Sequence, residues 1–285
     1  MKIGLNAWSV QQDLSMEEMF AALSRAGFDG VELNIDEPGP GHGLTRSDTE
    51  EDYARIRGYS EKYGLKVLGN SSSLARGRAG VASEHDDYRK LVMKQLEASK
   101  ALGAPGILSS PGGMAFGVSL KEAHENAIRF YKSIRDDVEK LGLRVGLENT
   151  WSGFFLSPYD MISVIDEIGS PNFCAYLDLG NMIEFSNPEW WVEILGKYIG
   201  FVHIKDYKRN DGPFTGGTWQ DVTHGSGNWQ AVIPALKKAG FDGYITGEVF
   251  RWYSDTPDIP WDEWYAKVAR EFRQIISYGE QEERP

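Results

Sequence analysis

This sequence has little cysteine or histidine and no long apolar run. The 285 residues include one cysteine, Cys174, so the chain forms neither an intramolecular disulfide nor a thiolate zinc cluster. No apolar stretch approaches the ~20 residues that span a bilayer. The N-terminus, MKIGLNAWSV, lacks the apolar core and cleavage site of a secretory signal. The sequence therefore predicts a cytoplasmic protein that does not insert into a membrane.

Basic charge is also in short supply. Lys and Arg number 30 against 42 Asp and Glu, which gives a formal net charge of −12. Nucleic-acid binding depends on basic surfaces that release counterions from phosphates, so a DNA or RNA partner is not expected. A net charge does not exclude a local basic pocket, and an anionic sugar phosphate remains an open ligand.

A repeated unit organises the chain: an amphipathic helical stretch, a glycine, then a short apolar run. The seven glycines are Gly27, Gly64, Gly103, Gly142, Gly169, Gly200 and Gly240. Each stands where a helix would need a left-handed residue before the next strand. Their spacing averages about 35 residues, the size of a βα unit. Two units, LSRAGFDGVEL and LKKAGFDGYIT, are near copies. The chain thus reads as alternating helices and strands.

Eight strands follow from this pattern. They are predicted at residues 3–8, 30–35, 66–71, 105–110, 144–149, 174–178, 201–206 and 244–249. Alternating βα units imply a parallel sheet, and eight in one domain favour a closed (β/α)8 TIM barrel of the α/β class over an open doubly wound sheet. We expect residues 1–278 to form one catalytic barrel domain, with residues 279–285 as a C-terminal tail.

Helix starts and one loop complete the prediction. Ser15 with Glu18 and Ser119 with Glu122 have capping-box spacing. A stripe from Leu120 to Leu141 repeats at helical intervals and predicts a core-facing helix. The Pro/Gly-rich residues 38–43 follow the second strand and are predicted to form a loop at the catalytic face.

Four titratable residues fall at the ends of four consecutive predicted strands: Glu148, Asp178, His203 and Glu248. In a barrel the chemistry lies at the C-terminal ends of the strands. The three carboxylates, placed together with one imidazole, would repel one another unless a divalent cation binds among them. This donor set suits Mn²⁺, with Mg²⁺ or Co²⁺ as other options, better than Zn²⁺. The alternative is structural: both glutamates in ion pairs and Asp178 as a helix cap.

Five motifs then resemble a known family, the xylose-isomerase-like sugar phosphate isomerase/epimerase barrels, particularly ketose 3-epimerases and L-ribulose-phosphate 3-epimerases. They are GLEN (146–149), LDLGN (177–181), HIKDYKR (203–209), HGSGNW (224–229) and GEVF (247–250). The resemblance extends to about residue 275 and implies that the four residues above bind the metal. It further implies that Glu148 and Glu248 form the acid/base pair and that Arg209 contacts substrate. Asn181 is also expected to contact substrate; many ketose epimerases have His at this position, and the Asn here is similar to the phosphate-using members.

The expected reaction is proton transfer on a ketose or ketose phosphate through a cis-enediolate, with C3 epimerisation as the leading outcome. Glu148 and Glu248 stand three strands apart in a ring of eight and approach a ligand from nearly opposite sides. Aldose–ketose isomerisation, or dehydration of an inosose or keto-sugar, would use the same intermediate. An abasic-site endonuclease-like hydrolase and a non-catalytic sugar-binding barrel are the remaining alternatives. A homo-oligomer is left open by analogy.

Further candidates surround the four ligands. Lys205 shares the strand parity of His203 and is predicted either to orient a substrate oxygen or to pair with Glu248 or Asp206. Glu32 ends the second strand and either reaches a substrate hydroxyl or forms a structural ion pair. Trp8 and Trp151 are predicted to form aromatic walls for a small-molecule sugar, as is Trp252.

Overall fold

Residues 1–37, 39–112 and 117–283 are described by a computed structural model of the chain, with side chains to residue 280. Pro38, in the loop predicted at the catalytic face, lies outside the described residues. So do the last two residues of the predicted tail. Among the helices described, none combines the length and apolar composition needed to cross a bilayer.

Eight parallel strands close into a barrel, which confirms the predicted (β/α)8 architecture. Around the ring the order is β1-β10-β7-β6-β5-β4-β3-β2. The barrel strands are β1 (Lys2–Asn6), β2 (Gly30–Asn34), β3 (Lys66–Ser71), β4 (Gly106–Ser109), β5 (Arg144–Glu148), β6 (Phe173–Asp178), β7 (Ile199–Ile204) and β10 (Tyr244–Gly247). Each lies within a few residues of its predicted position.

Helices surround the barrel and bury its outer face. They are α1 (Met16–Ala26), α2 (Glu50–Tyr63), α3 (His85–Leu102), α4 (Leu120–Leu141), α5 (Pro158–Ile168), α6 (Pro188–Leu195), α7 (Trp229–Lys238) and α8 (Trp261–Ser277). A 3₁₀ helix, Tyr278–Glu283, follows α8, and the carbonyl of Gly279 accepts a hydrogen bond from Lys237 at 2.7 Å.

Glycines end most helices as predicted, with one exception. Left-handed residues close the first five helices: Gly27, Gly64, Gly103, Gly142 and Gly169. Gly200 was wrongly assigned to this role, because it lies inside β7. A Cβ there would stand 2.2 Å from the sulfur of Cys174 on β6. Close strand packing therefore explains this glycine, and Gly196 (φ 46°) ends α6 instead.

Both predicted helix starts are confirmed, but α4 differs from the prediction in two details. Ser15 and Glu18 form the full reciprocal capping box of α1. Ser119 accepts a hydrogen bond from the Glu122 backbone without the return bond. Leu120 was wrongly placed in the core stripe, since it is 51% exposed in the first turn of α4. The middle of the stripe, Ala123, Ala127, Tyr131, Ile134 and Val138, is buried.

A two-stranded hairpin interrupts the βα pattern after the seventh strand. β8 (Asp206–Arg209) pairs antiparallel with β9 (Gly217–Gln220). The observed strand β7, Ile199–Ile204, begins and ends two residues before the predicted strand 201–206. Lys205 is the single residue between β7 and β8. Asp206 anchors the hairpin by accepting the backbone N–H of Gly225 and Gly227 and the indole N–H of Trp229. This contact accounts for the HGSGNW motif.

Candidate active site

The four predicted metal ligands converge at the C-terminal mouth of the barrel. Glu148 and Asp178 are the last residues of β5 and β6, His203 lies one residue before the end of β7, and Glu248 follows β10 directly. One ligand atom from each lies within 4.8 Å of all the others. The closed parallel ring brings these strand ends to one level, since Asp178 and His203 are register partners.

His203 faces the carboxylates with a ring nitrogen that has no hydrogen-bond partner among the described residues. Its Nδ1 is buried and lies 3.7 Å from Glu148 Oε1 and 4.0 Å from the nearest oxygens of Asp178 and Glu248. A buried polar atom without a partner is costly. An imidazole nitrogen and three carboxylates are donors that a divalent cation accepts, so these residues fit a metal.

Beneath the site, Glu32 holds the opposite edge of His203. The His203 Nε2 lies 3.2 Å from Glu32 Oε1, which also accepts the amide N–H of Asn6 at 2.6 Å. The hydroxyl of Tyr176 donates to the second oxygen of Glu32. Glu32 is only 1% exposed. Such a carboxylate selects the imidazole tautomer that presents Nδ1 to the site.

Asp178 is oriented by its own backbone surroundings. Its Oδ1 accepts the N–H groups of Gly180 at 2.8 Å and Asn181 at 3.0 Å. The side chain of Asn149 exchanges two hydrogen bonds of 2.9 Å with the Asp178 backbone. The GLEN and LDLGN motifs are therefore parts of one contact. With Oδ1 committed to the turn, Oδ2 is the oxygen directed at His203.

Lys205 lies inside the carboxylate cluster. Its ammonium is 2.9 Å from Asp178 Oδ2 and pairs with Glu248, and it stands over the ring of Trp219 at 5.4 Å. Of the options left open by the sequence, the salt bridge to Glu248 is therefore formed and that to Asp206 is not. Lys205 is 8% exposed and also faces the pocket.

The two glutamates have different electrostatic environments. Burial raises the pKa of Glu148, and the nearby Glu248 carboxylate adds to that effect. Burial also opposes ionisation of Glu248, but the Lys205 ammonium and His203 outweigh it and hold the pKa of Glu248 below its ordinary value. Burial lowers the pKa of His203 less than Glu32 and Glu148 raise it, so the net direction is well upward.

A pocket of about 380 Å³ opens beside this cluster. Of the predicted site residues, those that line it are Trp8, Glu148, Trp151, Asn181, Lys205 and Glu248. Ser72, Arg76, Ser110, Thr150 and Ser152 also line it and were not predicted. They lie in the loops that follow β3, β4 and β5, so the strand-end rule pointed to their loops but not to which residues face inward. Residues 113–116 of the β4 loop lie outside the described part.

Three of the predicted contacts lie elsewhere. Glu32 is below the pocket, where its oxygens are occupied by His203 and Tyr176. Arg209, on β8, donates to the side-chain oxygen of Asn187 at 3.1 Å and does not line the pocket. Trp252 is 74% exposed, outside the pocket lining, and stacks on Phe250.

A second titratable group, termed here the Asp221 cluster, comprises Asp221, His224, Asp255 and Lys267. Ligand atoms of the first three lie within 4.8 Å of one another, but the Lys267 ammonium is 2.6 Å from Asp221 and 2.5 Å from Asp255. An internal cation thus already compensates these carboxylates. Glu271, on the same helix as Lys267, lies beside the cluster. Its burial, together with the negative charge of Asp221, raises the pKa of Glu271 to about 7.

Comparison with known proteins gives a consistent result. The family model described as "Xylose isomerase-like TIM barrel" matches residues 20–275. A search of the curated proteins found no match.

Solved structures share the fold at low sequence identity. A D-psicose 3-epimerase from Clostridium cellulolyticum H10, determined with D-tagatose, has 15% identity and a TM-score of 0.78 over 97% of this chain and 99% of that chain. A D-allulose 3-epimerase from Methylomonas sp. has 20% identity and a TM-score of 0.75 over 96% and 98%. A xylose isomerase domain protein from Planctomyces limnophilus has 15% identity and a TM-score of 0.74 over 98% of each chain.

Proposed function

Because the chain belongs to the xylose isomerase-like TIM barrel family, we propose that it is a divalent-metal-dependent sugar epimerase acting at C3 of a ketose or ketose phosphate. The observation that carries this proposal is the convergence of three carboxylates and an orphaned imidazole nitrogen on the wall of a sugar-sized pocket. The ketose 3-epimerases with the same fold are in keeping with it.

Glu148, Asp178, His203 and Glu248 would hold the metal, with Mn²⁺ the preferred ion, Mg²⁺ or Co²⁺ acceptable and Zn²⁺ less suited. When bound, the ion supplies Lewis-acid stabilisation of the negative charge that develops on the substrate oxygens during proton removal. The carboxylates supply the compensating charge that makes such an ion stable in a mostly buried site.

Glu148 and Glu248 act as the acid/base pair. Strands β5 and β10 are separated by β6 and β7 in the ring, so the two carboxylates reach a bound ketose from different sides. One carboxylate takes the proton from C3, and the other returns a proton to the opposite face of the same carbon, which inverts it. General acid/base catalysis of this kind contributes on the order of 10² to 10⁴ in rate.

Neighbouring side chains position this pair. Lys205 holds one oxygen of Glu248, which directs the carboxylate toward the pocket. Asn181, Trp8 and Trp151 face the substrate from the surrounding loops. Glu32 acts through His203 as a positioning residue. Arg209 lies on β8 of the hairpin, whose Trp219 packs against Lys205 and Trp151.

Hydrogen exchange tests the proposal directly. The manganese-loaded protein, incubated in D₂O with a panel of ketoses and ketose phosphates, should incorporate deuterium at C3 and form the C3 epimer, as followed by NMR. Glu148→Gln and Glu248→Gln should each reduce exchange at least 10²-fold, whereas Glu61→Gln, on the exposed surface of α2, should not.

Two results would contradict this mechanism. Retained exchange in both glutamine variants would remove the acid/base assignment. Loss of water from the sugar, without a new stereoisomer, would assign the dehydratase alternative to the same residues.

A further inference from the structure

The carboxylate of Asp36 joins two loops at the mouth of the barrel. Asp36 stands two residues beyond β2 and is 7% exposed. Its Oδ2 accepts the indole N–H of Trp8 at 2.6 Å. Its Oδ1 accepts the backbone N–H of Ser73 at 2.8 Å and the Ser73 hydroxyl at 2.6 Å. We infer that Asp36 is a positioning residue of the candidate active site and that it fixes the ring of Trp8 against the bound sugar. This inference rests on the proposed function.

Burial makes this carboxylate dependent on its hydrogen-bond donors. A carboxylate away from water is costly unless N–H or O–H groups compensate its charge. For Asp36 these groups belong to Trp8, in the loop after β1, and Ser73, in the loop after β3. Hydrogen bonds to an ionised acceptor are roughly twice as strong as those between neutral groups. The two loops are therefore held to each other through Asp36.

Trp8 is held at its backbone as well as at its indole. The side-chain oxygen of Asn6 accepts the backbone N–H of Trp8 at 2.8 Å, and the Asn6 amide donates to Glu32. Because its indole N–H is committed to Asp36, Trp8 offers the pocket that it lines an aromatic surface. Such a surface packs against the C–H groups of a sugar, and a ring that is fixed before binding loses little conformational entropy.

This contact should affect substrate binding and not proton transfer. In the described part of the chain, the hydrogen bonds of the Asp36 side chain reach Trp8 and Ser73 and none of the four candidate metal ligands. Loss of the carboxylate should therefore weaken the binding of substrate and transition state equally. Such a loss raises KM and leaves kcat unchanged.

The kinetics of Asp36→Asn test the inference. C3 exchange by the manganese-loaded protein is measured in D₂O with D-fructose, D-tagatose and D-fructose 6-phosphate. Asn keeps the size of Asp but replaces one acceptor oxygen by an NH₂ donor, so it cannot accept from both Trp8 and Ser73. KM for the ketose that exchanges fastest should rise about three- to tenfold, the factor expected when a fixed side chain must instead be ordered on binding. The kcat and the calorimetric Kd for Mn²⁺ should both stay at the values of the parent protein.

A double-mutant cycle tests whether Asp36 acts through Trp8. Trp8→Phe keeps an aromatic ring and removes the indole N–H, and it should by itself raise KM by a similar factor. In that background Asp36→Asn should raise KM by no more than about twofold, since the two changes remove the same hydrogen bond. The cycle includes a variant that leaves the Asp36 carboxylate intact, so the test does not depend on the folding of Asp36→Asn alone.

Asp29→Asn is the matched control. Asp29 precedes β2 at the opposite end of the same strand, accepts the backbone N–H of Ile3 at 2.8 Å and pairs with Arg273 at 2.9 Å. Its replacement also removes a carboxylate that joins neighbouring elements. It should lower the temperature of thermal unfolding and leave KM unchanged.

The results separate this inference from the proposed function. An unchanged KM in Asp36→Asn or in Trp8→Phe, or KM effects that multiply fully in the double variant, would overturn the inference while the epimerase proposal stands. A loss of kcat or of Mn²⁺ affinity as large as the rise in KM would show that Asp36 supports the whole mouth, which also overturns it. If no ketose exchanges, the proposed function falls and the inference falls with it.

Discussion

The imidazole of His203 is held by a buried carboxylate that does not line the pocket. Glu32 contacts the ring edge opposite the metal-ligand cluster and is tied to Asn6 and Tyr176. The sequence placed it at the end of the second strand and left open a substrate contact or an ion pair, but Glu32 is the middle residue of β2. Glu32 lies deeper in the barrel than the pocket, and its side chain is long enough to reach His203 but not the pocket. It therefore forms the ion pair and not the substrate contact.

Removing the charge of Glu32 should weaken metal binding. In Glu32→Gln the affinity for Mn²⁺ should fall 10- to 100-fold, because His203 loses the partner that orients its ring and raises its basicity. Calorimetric titration with Mn²⁺ measures this. Glu37→Gln, an exposed residue three positions beyond β2, is the control. Equal affinities for Glu32→Gln and the parent protein would contradict the positioning role.

Single residues also mark the limit of what the sequence predicted about the site. The four candidate ligands were identifiable because each lies at or near the end of an apolar run at the same level of a repeated unit. Arg209 was assigned to the substrate by resemblance, but the chain turns into β8 after Lys205 and directs the arginine toward Asn187. Arg76, Ser72, Ser110 and Ser152 lie in loops whose course no periodic pattern encodes.

Among the elements, the tight contact between β6 and β7 makes a specific prediction. Gly200→Ala should destabilise the fold by about 1–3 kcal/mol, since its Cβ would overlap Cys174 in a core that cannot expand. Gly58→Ala should instead stabilise it by about 0.5–1 kcal/mol, because Gly58 lies within α2 with open space around it. Urea unfolding of both variants checks the pair, and equal signs would refute it.

The docking of α8 against the Asp221 cluster should depend on pH. Glu271 on α8 has a folded pKa of about 7, against an ordinary value of 4.5. The folded state therefore binds more protons than the unfolded state between these values, and stability falls as pH rises through this window. The effect amounts to about 3 kcal/mol at most.

Glu271→Gln isolates this contribution. The charged groups that face Glu271 are Asp221, Asp255, Lys267 and Arg270, and His224 pairs with Asp255 within the cluster. Since these remain in the variant, the difference between the two pH profiles of thermal unfolding reports Glu271 itself. The parent should lose more stability than the variant between pH 5 and pH 7. Parallel profiles would show that Glu271 titrates normally.

Regular elements were predictable where a period was long enough. The alternation of short apolar runs with amphipathic helical stretches predicted the positions of all eight barrel strands to within a few residues. The hairpin β8–β9 was missed because its strands are four residues each and partly polar, DYKR and GTWQ. Asp206 anchors it to the glycines of the loop that follows β9, a contact that the HGSGNW motif marks but from which no strand could be predicted.

For the whole molecule, metal binding and folding should be coupled. A cation that binds only the folded chain stabilises it by about 2.7 kcal/mol at a concentration 100 times its dissociation constant. For a chain of this size that corresponds to a rise in Tm of roughly 4–6 °C. Scanning calorimetry with and without Mn²⁺ tests this, with chelator reversing the shift. Glu148→Gln should show a smaller rise, and an unchanged Tm in the parent would argue against a metal site.

The fold itself was the most predictable level, because eight repeated units restrict a chain to very few arrangements. The choice between one reaction and another was not, since epimerisation, isomerisation and dehydration all begin with the same proton removal. We expect that choice to depend on the shape of the pocket beside the four candidate ligands, which is lined by the loops after β1, β3, β4, β5 and β6.

The parallel direction of the barrel strands has a practical consequence. Every strand begins at the face opposite the pocket, and the amino group of Met1 is held there, 2.7 Å from Asp242 at the turn before β10. Attachment of the protein to a solid support through this amino group would leave the mouth of the barrel pointing into free solution. An immobilised preparation made this way should turn over sugar without obstruction from the support.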